Sequence, residues 1–240
     1  MNKEITKSRN SFERIKSIMN KIYSFLLPSK QREEFQREIR INSFDIINKE
    51  KLWGYEDVSG GGSTIEFTKH TREIIFKIII EYKINSMLDA ACGGFSWMPL
   101  LLEKLPGNFE YTGGEIVPSL VLKHRAFYPQ YRFIQLDLVS DVLPQCDLIF
   151  CRDVLQHLPI NDIKKALANF SQSGAKYLLT TTHLRYPQWK NKRDIRIGKC
   201  RDRNLILEPF NLEDPIAIYS EGRIGHKFLS LWELPLKYIK

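Results

Sequence analysis

The sequence lacks the segments that mark a membrane or secreted protein. No apolar run reaches the roughly 20 residues that a membrane-spanning helix needs. The first ten residues, MNKEITKSRN, have no hydrophobic core of the kind found in signal peptides. These absences predict a cytoplasmic protein without a transmembrane segment.

Cysteine is scarce, and its spacing excludes the common metal sites. The four cysteines, Cys92, Cys146, Cys151 and Cys200, form no CxxC pair and no other metal-ligand pattern. We therefore predict free thiols in a reducing compartment and no bound metal.

The sequence has an excess of positively charged residues, but these residues are not clustered. The 36 Lys and Arg residues against 28 Asp and Glu give a net charge of +8, which favours an anionic partner. No block of five or six like charges and no RNA-binding signature occurs, so a small anionic molecule is favoured over nucleic acid.

The first 50 residues predict a helical extension. Apolar residues recur at three-and-four spacing over residues 12–26, and Pro28 ends that amphipathic pattern. A second helical stretch follows over residues 31–53. Such a basic helix could lie on a membrane, but packing on its own domain or on a second subunit, as in a homodimer, is the more common use. We predict an extension over residues 1–50 and one domain over residues 51–240.

From residue 71 onward, strand and helix patterns alternate. Strands are predicted at residues 87–91, 109–115, 131–136, 147–151, 177–182, 215–221 and 226–234. Helices are predicted at residues 71–81, 97–105, 118–127 and 161–171, with Pro118 and Asn161 as starting residues. This alternation predicts an α/β fold, with a Rossmann-like, seven-stranded, mostly parallel sheet covered by helices on both faces.

Polar residues stand at the ends of four successive predicted strands. They are Asp89, Glu115, Asp137 and the pair Arg152-Asp153. Because parallel strands end at one edge of a sheet, we expect these side chains to gather around one site. A carboxylate at the end of the second strand can accept hydrogen bonds from both hydroxyls of a ribose.

These residues resemble the motifs of class I S-adenosylmethionine-dependent methyltransferases. Motif I of that family is commonly D-x-G-x-G-x-G, and this chain reads DAACGGF from Asp89, so Ala91 and Phe95 replace two glycines. A bacterial subgroup with D-x-x-C-G-D-F-x-W-M is closer, although Gly94 replaces its acid. The resemblance covers roughly residues 50–235 and includes the stretches GGEIVP and CRDVLQHL.

The resemblance implies S-adenosylmethionine as the cofactor. The implied cofactor-binding residues are Ser63, Thr64, Asp89, Ala91, Cys92, Gly93, Glu115, Ile116, Asp137, Leu138 and Arg152. The SGGGST loop at residues 59–64 lacks the ending of a P-loop, and we expect it to form a flap over the site rather than a triphosphate cradle.

Two residues are predicted to be catalytic. Asp153 directly follows the fourth strand, and His157 would share its helical face at i+4. Either could instead be structural. The charged, aromatic segment after the fifth strand is predicted to bind the methyl acceptor, since a long irregular segment in a compact domain is commonly a binding loop. The predicted acceptor-binding residues are His183, Asn191, Asp194, Arg201 and Asn204.

The sequence thus predicts an enzyme that transfers a methyl group to a small-molecule or carbohydrate acceptor, such as a sugar of a surface polysaccharide or a sugar nucleotide. Two alternatives stay open. One is methylation of nucleic acid or protein, against which the missing N/D-P-P-Y/F motif counts. The other is a non-catalytic module that binds the cofactor or has lost it.

Overall fold

The computed structural model describes residues 26–54, 59–184, 193–222 and 226–239. The chain separates into two compact units, residues 1–40 and residues 41–240. Most of the predicted helix over residues 12–26 lies outside the described residues, and the division at residue 50 stays a prediction. Within the described ranges, no helix combines the length and the apolar character needed to cross a bilayer.

Seven strands form one sheet in the second unit. They are β1 (Ser86–Ala90), β2 (Glu110–Glu115), β3 (Arg132–Gln135), β4 (Leu148–Cys151), β5 (Tyr177–His183), β6 (Ala217–Ser220) and β7 (Lys227–Glu233). Their order is β3-β2-β1-β4-β5-β7-β6. The first five strands are parallel, whereas β7 runs antiparallel to both β5 and β6. The predicted mostly parallel seven-stranded sheet is confirmed.

The described helices alternate with the parallel strands. They are α1 (Ser29–Lys49), α2 (Lys69–Glu81), α3 (Pro99–Leu102), α4 (Pro118–Phe127) and α5 (Ile160–Gln172), with single 3-10 turns at Gly61–Ser63 and Leu155–His157. Pro118 starts α4 as predicted, because its fixed φ suits the first helical position. Asn161 does not start α5. That helix begins at Ile160, whose N–H donates to Asp194 Oδ1 at 2.8 Å.

Alternation along the central strands divides the core into two clusters. Met87 of β1, Phe150 of β4 and Leu179 of β5 pack with α2 and α3. Leu88 and Ile149, their neighbours in sequence, point to the other face and pack with α5. Because both faces of these strands are buried, the strands are apolar almost throughout, as parallel sheets require. Charged groups of β1 and β4 are therefore found only near the carboxyl ends of these strands.

Candidate active site

The turn after β1 is built around Gly93. Its φ of +54° lies in the left-handed region, and a Cβ there would collide with Ser59 Oγ. The Gly93 N–H donates to Glu115 Oε2 at 3.0 Å, and its carbonyl accepts from His124 Nε2 at 2.7 Å. The neighbouring Cys92 N–H donates to the Gly114 carbonyl at 2.9 Å, which ties the turn to β2. The predicted cofactor residues Ala91, Cys92 and Gly93 thus belong to one rigid turn.

The Glu115 carboxylate connects that turn to the start of α4. Oε1 accepts from the Val117 N–H at 3.0 Å, while Oε2 accepts from Gly93. Burial raises the pKa of Glu115, and the backbone N–H groups of Val117 and Gly93 oppose that rise. Each carboxylate oxygen can accept more than one hydrogen bond, so this arrangement leaves capacity for a ligand's hydroxyls. Ile116 lies beside it, nearly buried.

Phe95, which replaces the third motif glycine, is accommodated by an aromatic cluster. Its φ is +57°, and its ring is 2% exposed. Five rings surround it at centroid distances of 4.8–5.9 Å: Tyr111, His124, Tyr128, Tyr131 and Phe133. Edge-to-face pairs of this kind stabilise by more than the area they bury. The altered motif therefore has a structural partner in the rest of the chain.

Asp89, the penultimate residue of β1, has no ion-pair partner among the residues that the structure describes. Its Oδ2 accepts from the Tyr111 hydroxyl at 2.8 Å, and the residue is 3% exposed. Burial raises the pKa of Asp89 to about 7, despite the hydrogen bond from Tyr111. Burial thus favours the protonated form of this carboxyl group.

Asp137 follows β3 and shapes the turn there. Its carboxylate accepts from the Val139 N–H at 3.1 Å and from the Ser140 hydroxyl at 2.7 Å. The carbonyl of Leu138, a predicted cofactor residue, accepts from Asn169 Nδ2 of α5 at 3.0 Å. Asp137 and Leu138 are both buried. The end of β3 is therefore held in one conformation.

The SGGGST loop packs on the ends of two strands. Ser59 Oγ accepts from the Gly94 N–H at 2.8 Å, and the Ser63 carbonyl accepts from Ser96 Oγ at 3.1 Å, both in the turn after β1. The Gly62 carbonyl accepts from Arg152 Nη1 at 3.1 Å, after β4. The Thr64 hydroxyl accepts from the N–H of Phe67 and so organises the turn before α2. The loop lies over the strand ends, where the predicted flap would be.

Four charged side chains form a cluster at the ends of β4, β6 and β7, here termed the charge cluster. Its members are Arg152, Asp153, Glu221 and Lys227. Arg152 Nε donates to Glu221 Oε1 at 2.6 Å, and Lys227 Nζ donates to Asp153 Oδ2 at 2.5 Å. Two cations and two anions balance, as burial requires.

Asp153 is the most accessible carboxylate of the charge cluster, with 20% of its side chain exposed. Its φ of +58° is unusual for a residue other than glycine. The Thr181 hydroxyl of β5, which accepts from the Asp153 N–H at 2.9 Å, stabilises that conformation. Although burial favours the neutral acid, the charges of Arg152 and Lys227 hold the pKa of Asp153 below its ordinary value.

His157 does not share a helical face with Asp153, so that part of the prediction is wrong. The chain after β4 forms only a 3-10 turn over Leu155–His157. His157 Nδ1 lies 3.2 Å from the Lys199 carbonyl, which assigns the proton of the neutral ring to Nδ1 and the lone pair to Nε2. Burial lowers the pKa of His157, which keeps the ring neutral near pH 7. The Trp53 ring packs against it at 4.7 Å.

His183, at the end of β5, is held by its neighbours. Its Nδ1 accepts from the Arg203 N–H at 3.2 Å, and its Nε2 lies 3.5 Å from Asp202 Oδ1. The other Asp202 oxygen is 3.2 Å from His226 Nε2. Burial lowers the pKa of His183. Both ring nitrogens of His183 thus have partners within the chain.

The segment after β5 divides into capping and buried residues. Asp194 Oδ1 accepts from the N–H groups of Ile160 and Ile195, so this predicted acceptor ligand caps α5. Asn204 is buried and accepts from the Ile206 N–H at 3.0 Å. Arg201 Nε and Gln156 Oε1 are buried without a hydrogen-bond partner among the described residues. Asn191, another predicted acceptor ligand, lies outside the described residues.

Three residues of this region were not predicted from the sequence to belong to the site: Trp53, Glu221 and Lys227. Lys227 had a detectable signal, since it shares an inward-facing period with Leu229 and Leu231 on β7. A charged residue at a buried strand position requires a partner of opposite charge. Within the part of the chain that the structure describes, no three His, Cys, Asp or Glu side chains are grouped to hold a metal ion.

No protein-family model matches this chain, and no curated protein matches it.

Solved structures share its fold at low sequence identity. A 1,6-didemethyltoxoflavin-N1-methyltransferase from Burkholderia thailandensis, with its bound substrate and S-adenosylhomocysteine, is 12% identical with a TM-score of 0.55, over 87% of this chain and 91% of that one. The magnesium protoporphyrin IX methyltransferase of Synechocystis with bound S-adenosylhomocysteine is 13% identical with a TM-score of 0.54, over 80% and 98%.

Human N-acetylserotonin methyltransferase, in complex with S-adenosylmethionine, is 15% identical with a TM-score of 0.51. The match covers 71% of this chain and 55% of that protein, so this chain spans only about half of its length. At these identities, the similarity shows a shared Rossmann-like fold.

Proposed function

We propose that this protein is an S-adenosylmethionine-dependent methyltransferase that acts on a small-molecule acceptor. The observation that carries the proposal is the series of polar groups at the ends of β3, β2, β1 and β4, which are adjacent in the sheet. Ligands of open parallel sheets bind at this edge. The solved methyltransferases of the same fold carry the cofactor or its product.

The residues present fit the cofactor. Glu115 has the acceptor capacity for two ribose hydroxyls beside a turn that only glycine permits. Arg152 Nη2 is a buried donor with no hydrogen-bond partner among the described residues, as expected of a group that binds an anion. The methionine part of S-adenosylmethionine carries an anionic group of this kind, its carboxylate.

When bound, S-adenosylmethionine supplies a methyl group on a sulfonium that is already activated for displacement. The protein therefore has to orient the acceptor and accept its proton. His157 is the stronger base, since its ring is neutral and Lys199 fixes the proton on Nδ1. Asp153 is ionised and paired, so it is a weak base and orients the acceptor by accepting its hydrogen bond.

For the acceptor, we propose a sugar or sugar nucleotide. Arg201 Nε and Gln156 Oε1, a buried donor and a buried acceptor, belong to residues joined by a 2.9 Å backbone hydrogen bond. A hydroxyl both donates and accepts, so a sugar is suited to both atoms. Trp53 beside His157 offers an aromatic surface.

Two measurements test this function. Titration calorimetry with S-adenosylhomocysteine should give a single site, whereas a module that has lost the cofactor gives no heat. Phosphorylated sugars and sugar nucleotides are then screened for release of S-adenosylhomocysteine from S-adenosylmethionine. Methyl transfer to none of them, combined with strong salt-dependent retention on heparin, would favour a nucleic-acid substrate instead.

A further inference from the structure

The charge cluster contains more groups than binding the cofactor requires. Arg152 is joined to Glu221, and Thr71 of α2 donates its hydroxyl to the same Glu221 oxygen at 2.7 Å. Lys227 lies between Asp153, at 2.5 Å, and Glu221 Oε2, at 3.2 Å. Lys227 and Glu221 are 5% and 4% exposed. A buried network of this extent needs every charge compensated, so each member constrains the others.

Lys227 is held in place by its strand as well as by its partners. It is the first residue of β7 and pairs across the sheet with His183 of β5. Asp153 is fixed from the other side by Thr181, also on β5. The ammonium group and the carboxylate are therefore positioned by the same pair of strands, and their contact is a consequence of sheet register.

The surroundings of Asp153 are mostly cationic or neutral. Its N–H and Oδ1 face Thr181, and its Oδ2 faces Arg152 and Lys227. Among the described residues, His157, His183 and Cys200 are the other titratable groups that interact with it from neighbouring elements, and the buried Cys151 thiol interacts with it from β4. Burial lowers the pKa of both histidines, and burial raises the pKa of the Cys200 thiol. These three groups are thus neutral near pH 7, and the two cations dominate.

We propose that Lys227 is a positioning residue whose ammonium group, together with the Arg152 guanidinium, fixes the Asp153 carboxylate as a hydrogen-bond acceptor for the methyl acceptor. This inference rests on the proposed function for its biological meaning. Glu221 balances the two cations and holds Arg152 through Nε. The methyl acceptor must then present an O–H or N–H to Asp153, and a bare anionic group at that position would be repelled.

The test is the ionisation of Asp153 itself, which requires neither cofactor nor acceptor. Protein labelled with ¹³C at the aspartate carboxyl carbons is titrated by NMR, and the signal missing in Asp153→Asn identifies the residue. In the wild type, the midpoint should lie below the ordinary aspartate value of about 3.9. In Lys227→Met, the midpoint should rise by about one pH unit or more, whereas Lys227→Arg should leave it near the wild-type value.

The control is Lys176→Met, which removes a lysine paired with Asp147 at 2.8 Å, away from the charge cluster. It should leave the Asp153 midpoint unchanged. A wild-type midpoint at or above the ordinary value overturns the proposal, even if Lys227→Met does not fold. An unchanged midpoint in folded Lys227→Met overturns it as well.

Calorimetry with S-adenosylhomocysteine on the same wild-type protein separates the two claims. Absence of binding would contradict the proposed function. The effect of Lys227 on Asp153 ionisation would still be tested by the titration. With an acceptor found in the screen, Lys227→Met should raise the KM for that acceptor, whereas Lys227→Arg should keep it, because only a cation at this position holds the Asp153 carboxylate as the hydrogen-bond partner of the acceptor. An unchanged KM in folded Lys227→Met would overturn the link to the acceptor.

Discussion

Asp89 and Asp153 stand at the ends of adjacent parallel strands, yet their surroundings drive them to opposite charge states. Asp89 faces the hydroxyl of Tyr111, and burial raises its pKa to about 7. Asp153 faces Arg152 and Lys227, which outweigh burial and lower its pKa. Each strand places a carboxyl group near its end. The burial of that group and the charges of the neighbouring side chains then determine whether it is protonated or ionised.

The same contrast separates the two halves of the site. At the half proposed to bind the cofactor, Glu115 bonds to Val117 and Gly93, which are 2 and 22 positions away. At the half proposed to bind the acceptor, Asp153 pairs with Lys227, 74 positions away, and Glu221 bonds to Thr71 across 150 positions. The first half is built by neighbouring strand ends, and the second by the return of the chain through β6 and β7.

The largest expected effect is at Glu115. Glu115→Ala leaves the buried N–H groups of Gly93 and Val117 without an acceptor and removes the proposed ribose ligand. Each lost buried bond costs about 1–3 kcal/mol, so affinity for S-adenosylhomocysteine should fall by about 100-fold or more in calorimetry. Glu110→Ala, at the exposed start of β2, is the control. Asp153→Asn, in the other half, should keep affinity within about threefold. Equal affinities of the Glu115 and Asp153 variants for S-adenosylhomocysteine would contradict the division of the site into two halves.

The next effect tests the charge state of Asp89. Its folded pKa lies above the unfolded value of 3.8, so its contribution to stability is full below that pH and is lost as the pH rises through about 7. Lowering the pH from 7 to 5 should therefore stabilise the wild type by about 2 kcal/mol more than Asp89→Asn, measured by urea unfolding. Asp214→Asn, at an exposed position, should follow the wild type. Parallel pH profiles for wild type and Asp89→Asn would mean that Asp89 is ionised like Asp153.

A smaller effect is expected at Gly93. Gly93→Ala places a Cβ against Ser59 Oγ at a left-handed φ, which costs about 1–2 kcal/mol and displaces the SGGGST loop. Affinity for S-adenosylhomocysteine should fall by about 10-fold. Gly107→Ala, where an added Cβ meets nothing within 4 Å, should bind as the wild type does. If both variants bind equally well, the turn after β1 does not contact the cofactor.

The smallest effect separates capping from acceptor binding at Asp194. Asp194→Ala removes the oxygen that caps α5 and should lower the free energy of unfolding by about 1 kcal/mol in urea. Asp194→Asn keeps a capping oxygen and should restore the stability. If Asp194→Asn instead loses methyl transfer at full stability, Asp194 binds the acceptor as the sequence analysis predicted.

Local sequence predicted the fold well because its signals are local. Alternating strand and helix patterns, Pro118 at a helix start and acids at strand ends all arise within a few residues of each other. The predictions that were wrong concern places where a residue distant in sequence makes the contact that was expected from a neighbouring residue. Asn161 was predicted to start α5, but Asp194 reaches that helix from the segment after β5. The i+4 relation of Asp153 and His157 failed because the chain there forms a 3-10 turn held by residues 198 and 199.

What the sequence determined by itself is the order of the strands along the chain and the side chains at their ends, because periodicity and turn chemistry are encoded in consecutive residues. What only the tertiary structure decided is the protonation and orientation of those side chains. Asp89 and Asp153 differ because burial dominates at Asp89, whose hydrogen-bond partner Tyr111 is neutral, whereas Lys227, on an antiparallel strand, places a positive charge against Asp153. Electrostatic energy depends on distance and burial in space, and neither can be read from positions along a chain.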